Sequence, residues 1–276
     1  MKPKTNVQAL RLIVYLTLVA LACIALTPML WLLLAAFKGP DELFAYVFFA
    51  PRYTLGNFVA LFNHNINFLR CMVNSVFVSC VSVLAQLFFS SLAGFALAKY
   101  EFRSKKLVMI LMISTLLIPG QILMAPSYEL IYRLGLVDSF SGLIIPGAVS
   151  VFGIFLFRQA LLQVPDELIH AARIDGCSEF RIYWDIMMPV SRPMVGAFCL
   201  ISFMGAWNNY LWPQIMLHSS ERFTLPIALT SLVGLQQQQY GALMAGTLLS
   251  VLPVIVLFLL LQKEFVAGLT AGAVKG

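Results

Sequence analysis

Six long stretches of this 276-residue chain carry no Asp, Glu, Lys or Arg: 12–37, 71–98, 107–128, 139–157, 193–220 and 223–262. A helix needs about 20 apolar residues to cross the hydrocarbon of a bilayer, so each stretch is long enough for one crossing. Transmembrane β-strands are about ten residues long and alternate apolar with polar, so continuous runs of this length predict helices. Only 11% of the chain is charged and 61% is hydrophobic, against about 25% charged in soluble domains. One soluble core of this size cannot hide that much apolar surface.

The last stretch is longer than one span, and Gln236, Gln237, Gln238 and Gln239 interrupt it. We place its span at 240–261 and read 223–239 as a loop with an interfacial helix. The fifth span is placed at 193–218. The first stretch follows Lys2, Lys4 and Arg11, as a secretory signal would, but it exceeds the 7–15 apolar residues of a signal core and reads as an uncleaved span. With no linker, low-complexity tract or clear repeat, residues 1–276 read as a single membrane domain.

Six crossings put both termini on one side, and the basic residues say which. Thirteen Lys and Arg fall on the side of the termini and five on the other, so the positive-inside rule places both ends in the cytoplasm. The net charge of +6 thereby describes loops at a membrane, and no nucleic-acid partner is implied. Five cysteines without a CxxC pair read as small packing residues. Three dispersed histidines, His64, His170 and His218, have no metal-ligand spacing, and no metal is assigned. No catalytic residue is assigned either, because converging acids or bases are missing from the spans. A secondary transporter coupled to protons would want an acid there.

The cytoplasmic connection 164–193 reads as folded. Pro165 suits a first helical position, Asp166 and Glu167 complement the positive end of a helix, and Gly176 is a natural stop. A second short helix is expected from about Ser178 to Met188, ended by Pro189. Small residues Ala171 and Ala172 make a ridge able to enter a groove on a partner. An ordinary amphipathic connection at the membrane surface explains the same pattern.

Pro165, Glu167, Leu168, Ala171, Ala172, Asp175, Gly176, Phe180 and Pro189 resemble the EAA loop of ABC importer permeases. Further similarity to the MalG-like, carbohydrate-type branch lies in Asn74-Ser75, in 93–102, in Ile118-Pro119, in Leu134-Gly135-Leu136, in Ala206-Trp207-Asn208-Asn209, in Trp212-Pro213, in Thr224-Leu225-Pro226 and in the Gly-rich tail 268–276. The resemblance implies an all-α membrane protein of the type I ABC importer fold. It implies a permease subunit paired with a second, MalF-like permease. A dimer of ATP-binding cassette ATPases would dock beneath, and an extracytoplasmic binding protein would deliver a carbohydrate. The setting would be a prokaryotic cytoplasmic membrane. Glycerol 3-phosphate or another polar solute is the alternative cargo on the same scaffold. ATP and Mg would be bound by the ATPase, in keeping with the lack of a GxxxxGK[ST] loop in this sequence. The ATPase-coupling residues would be Glu167, His170, Ala171, Ala172, Asp175 and Gly176. His170 stands where the family has the Glu of its motif, so the family's ion pair to the ATPase cannot form in the same way; Glu167 shares a face with His170 and is placed to hold its ring.

For the translocation path, Ser75, Ser79, Ser82, Gln86 and Ser90 recur along one face of the second span. They either line a lumen or bind helices together, as does the neighbouring small-residue row Ser90, Gly94, Ala98. Trp207, Asn208, Asn209 and Trp212 in the fifth span either meet the solute, by stacking and amide hydrogen bonds, or form an interfacial belt with buried amides.

Overall fold

The computed structural model describes residues 4–234 and 239–271. Gln236, Gln237 and Gln238, and the end of the tail from Gly272, lie outside the described residues. The helices run in the order α1 (Lys4–Ala36), α2 (Gly56–Phe62), α3 (Phe68–Lys99), α4 (Lys105–Thr115), α5 (Met124–Arg133), α6 (Phe140–Ile144) and α7 (Val151–Leu161). They continue as α8 (Asp166–Ile174), α9 (Glu179–Arg181), α10 (Met188–Val190), α11 (Arg192–Trp207), α12 (Leu211–Met216), α13 (Leu225–Ser231) and α14 (Tyr240–Ala271).

By length and composition, Leu10–Ala36, Phe68–Lys99 and Tyr240–Gly268 can each cross a membrane unaided. Three bent pairs bring the number to six if each is one span. The third expected span is not one straight helix: Lys105–Thr115 and Gly120–Arg133 meet at 93°. Pro119 causes the break, since it has no N–H and drives Ile118 out of helical geometry. The chain tightens into i to i+3 hydrogen bonds over Leu116, Leu117 and Ile118 before it. The fourth is bent by 45° between Phe140–Gly147 and Val151–Leu161, and Ser150 caps the second of these by accepting the N–H of Gly153. The fifth expected span, 193–218, is divided into α11 and α12 by the turn at Asn208 and Asn209. The loop expected at 223–239 contains α13.

The described residues cluster into two compact units, one within Met1–Phe68 and Leu229–Val251, the other within Leu69–Ala228 and Leu252–Gly276. In the first unit, α1 exposes apolar side chains along most of its length, as a lipid-facing helix does. After it, Lys38 is fully buried and its ammonium donates to the carbonyls of Tyr46 at 2.6 Å and Val47 at 3.1 Å. Those bonds satisfy a charge that would otherwise be costly to bury. Asn57 donates to the carbonyls of Ala36 at 2.9 Å and Lys38 at 2.8 Å, closing the turn that follows α1.

In the second unit, α3 crosses α7 through the small-residue row. A Cβ on Gly94 would stand 2.7 Å from the Cβ of Phe157, and Ser90 both donates to the carbonyl of Ser150 and accepts its N–H. Close backbone approach with hydroxyl bonds is the way helices associate in lipid, where apolar burial gives no drive. The core below holds Phe95, Phe157, Leu161, Ile169, Tyr183 and Phe198.

Candidate functional site

The connection 164–193 begins with Pro165 in extended geometry, one residue ahead of the helical position expected for it, followed by Asp166 and Glu167 in the first turn of α8. Gly176 has φ +80°, a left-handed value that a side chain resists. Its N–H bonds the carbonyl of Arg173, and the N–H of Cys177 bonds that of Ala172, the paired bonds that end a helix at a C-terminal glycine. The second short helix expected from Ser178 to Met188 runs from α9 through a π-helical segment, Ile182–Met187, into α10, and so passes Pro189.

Ala171 and Ala172 do not share a face. Ala172 is only 5% exposed and, with Ile169, packs into the core of its own unit. The outward face instead carries Leu168, 45% exposed, Ala171 and Ile174, 87% exposed, flanked by Glu167, His170 and Asp175. Helix α8 thus divides its small residues between the core and the exposed face. The contact expected between Glu167 and His170 is not made among the described residues; His170 adds instead to the field at Asp166. The Asp166 carboxyl lies below its ordinary range, first because Lys99 hydrogen-bonds it and then through the charge of Lys99. Glu179 is likewise held down, by hydrogen bonds from Arg173 and Tyr100.

The polar residues of the second and fifth spans do meet. Ser75, Ser79, Ser82, Asn209 and Trp212 line one cavity with Thr224, whose buried hydroxyl has no protein partner. The cavity measures about 40 Å³, close to the volume of a single water. Ser75 accepts the N–H of Leu225 at 2.7 Å, and Gln86 donates to the carbonyl of Gly147 at 2.8 Å. Trp212 donates to the carbonyl of Gly142 at 3.3 Å. In this conformation these groups hold helices together. Trp207 is buried and stacks on Phe203 at 5.5 Å, whereas Asn208 and Asn209 are exposed at the turn ending α11.

A cluster that sequence reasoning missed lies at the opposite end of these helices from the connection. Asp138, at φ +54°, accepts the N–H groups of His218 at 3.0 Å and Ser219 at 3.1 Å, the hydroxyl of Ser219, and the guanidinium of Arg222 at 3.0 Å. Partial burial opposes ionisation of Asp138, but the hydrogen bonds and Arg222 outweigh it and bring the carboxyl to about 2. Its one signal in the sequence is an acid two residues after the Leu134-Gly135-Leu136 turn, where Gly135, at φ +68°, ends α5.

With this geometry in view, similarity to known proteins is informative. The family model for binding-protein-dependent transport system inner membrane components matches residues 87–269. The chain is 39% identical over 260 residues to the arabinooligosaccharides transport system permease protein AraQ of Halalkalibacterium halodurans, covering 93% of each chain. It is 33% identical over 209 residues to the sn-glycerol-3-phosphate transport system permease protein UgpE of Yersinia pestis, covering 75% of this chain and 74% of that one. Its fold matches a chain of a bacterial ABC transporter involved in the import of the acidic polysaccharide alginate, with a TM-score of 0.82, 21% identity, and coverage of 96% and 99%. The all-helical, importer-type fold, the folded connection after the fourth span and these similarities agree: the chain belongs to the binding-protein-dependent transport system inner membrane components.

Proposed function

We propose that this permease forms half of an ATP-driven import path for a neutral carbohydrate, with both termini in the cytoplasm. The observation that carries the reading is the face of α8. Leu168, Ala171 and Ile174 are apolar, outward-facing and held rigidly by a helix whose other face is buried. Such a face is a ready knob for a groove on a separate ATPase, which would bind ATP and Mg. A second permease subunit would complete the path, and an extracytoplasmic binding protein would load it.

The cargo assignment rests on chemistry as well as on the name of the AraQ relative. The spans contain no charge to pair with a phosphate, and burying an unpaired anion is expensive. Two of the guanidinium groups at the far end, Arg70 and Arg222, are already paired with Glu221 and Asp138. Serines and amides instead offer hydrogen bonds to hydroxyls. The UgpE relative motivates glycerol 3-phosphate as the second reading. Uptake into proteoliposomes by the complete complex, loaded with its own binding protein, decides between them. Neutral mono- and oligosaccharides are expected to enter in an ATP-dependent manner; exclusive entry of glycerol phosphates would overturn the cargo assignment.

A further inference from the structure

The connection that carries α8 is fastened to α3, or to the residue that follows it, at three points, all within one compact unit. Lys99, the last residue of α3, has a side chain only 4% exposed; its ammonium donates to the carbonyl of Val164 at 2.5 Å and to Asp166 at 2.6 Å, gripping the start of α8. Tyr100, the next residue, donates its hydroxyl to Glu179, which also receives two bonds from Arg173, at 2.7 and 3.2 Å. The Arg173 guanidinium lies 5.8 Å from the centre of the Tyr100 ring. This second point grips the end of α8 and the beginning of α9. The third point is deeper. Tyr183, fully buried in the π-helical segment, places its hydroxyl 2.7 Å from that of Ser91. Ser91 lies about 12 Å back from Lys99 along α3, at about 1.5 Å per residue. A π-turn inserts one extra residue into a helical turn and re-aims the side chains around it, which here lets Tyr183 reach inward.

These points define more than a folded loop. The grips hold α8 at its start, at its end and from behind. The same helix carries Ser75, Ser79 and Ser82 in the polar cavity, about 25 Å from Lys99 to Ser82 along the helix axis. We propose that Lys99, Tyr100 and Tyr183 are positioning residues that make α8 and α3 move as one body, so that displacement of α8 by the ATPase is delivered to the polar cavity by α3. The charge-assisted bonds of Lys99 are the strongest of the three grips. They resist sliding of α8 along the membrane surface, while the Tyr183 hydrogen bond resists rotation of the segment behind it.

This inference rests on the permease reading above, and the test separates the two. The whole complex is reconstituted with its binding protein, and ATP hydrolysed per solute imported is measured. Absence of ATP-dependent uptake by the wild-type complex would defeat the permease reading. Given uptake, Lys99→Met is expected to raise ATP consumed per solute by about fivefold or more, the low end of a coupling between sites. Lys99→Arg, which keeps the charge and the donors, should restore the wild-type ratio. Tyr100→Phe with Tyr183→Phe removes only two hydroxyls and should shift the ratio in the same direction. A wild-type ratio in both Lys99→Met and the tyrosine double variant would overturn the proposal. If Lys99→Met does not assemble, the double variant decides alone.

Discussion

The ring of Phe198 lies against Gly153 so closely that a Cβ on the glycine would stand 2.5 Å from the ring and 2.9 Å from the Cβ of Ser90. Three helices, α3, α7 and α11, therefore meet at a position with no room for a side chain. Gly153→Val is expected to destabilise the second unit by about 1–3 kcal/mol through overpacking. Thermal unfolding in detergent, compared with Gly147→Val, checks this. Gly147 has only the far end of Gln86 nearby, at 3.9 Å, and its variant should melt close to wild type.

The two faces of α8 should fail differently. Ile174→Asp alters an 87% exposed residue, so the protein should insert and melt normally while losing solute-stimulated ATPase activity. Ala172→Asp buries a carboxylate in an apolar core, at a cost of several kcal/mol, and should lower the melting temperature. His170→Glu, on the exposed face, should be tolerated. Normal ATPase stimulation in Ile174→Asp would show that this face meets no ATPase.

Stability should fall in acid at the Asp138 cluster. The carboxyl lies at about 2, below its ordinary 3.8, so its contribution is complete above 3.8 and is lost as the pH falls through that value towards about 2. Because the side chain is partly exposed, the contribution is of order 1 kcal/mol after screening by solvent. Asp138→Asn should melt earlier than wild type at neutral pH and show a weaker dependence on acid. Parallel melting curves for the two proteins across that range would contradict the assignment.

Orientation is tested by single cysteines in a cysteine-free background. Asn63 and Ser104 are both exposed, in connections assigned to opposite sides of the membrane. A membrane-impermeant thiol reagent applied to intact cells should label a cysteine at Asn63 and leave one at Ser104 untouched. The reverse pattern would invert the topology.

The uncharged runs marked the stretches able to cross a bilayer, because the bilayer acts on a chain residue by residue: a charge either sits in hydrocarbon or does not. The ends of α8 were equally legible, since Asp166, Glu167 and Gly176 act on their own helix turn. Three matters were decided only by contacts distant in sequence. Ala171 and Ala172 are chemically identical neighbours, and only the core formed with Phe157, Ile182 and Phe198 determines that Ala172 is the one turned inward. The stripe Ser75, Ser79, Ser82 has the same periodicity whether it faces a lumen or a neighbouring helix; the choice rests on where Leu225 and Trp212 arrive. Lys99 looked like one more basic residue at a membrane border until the carbonyl of Val164 and the carboxylate of Asp166 closed around it. Local propensities and the bilayer act along the chain, whereas side-chain partners belong to the assembled fold, and that is why the apolar stretches and the ends of α8 were readable while the pairings were not.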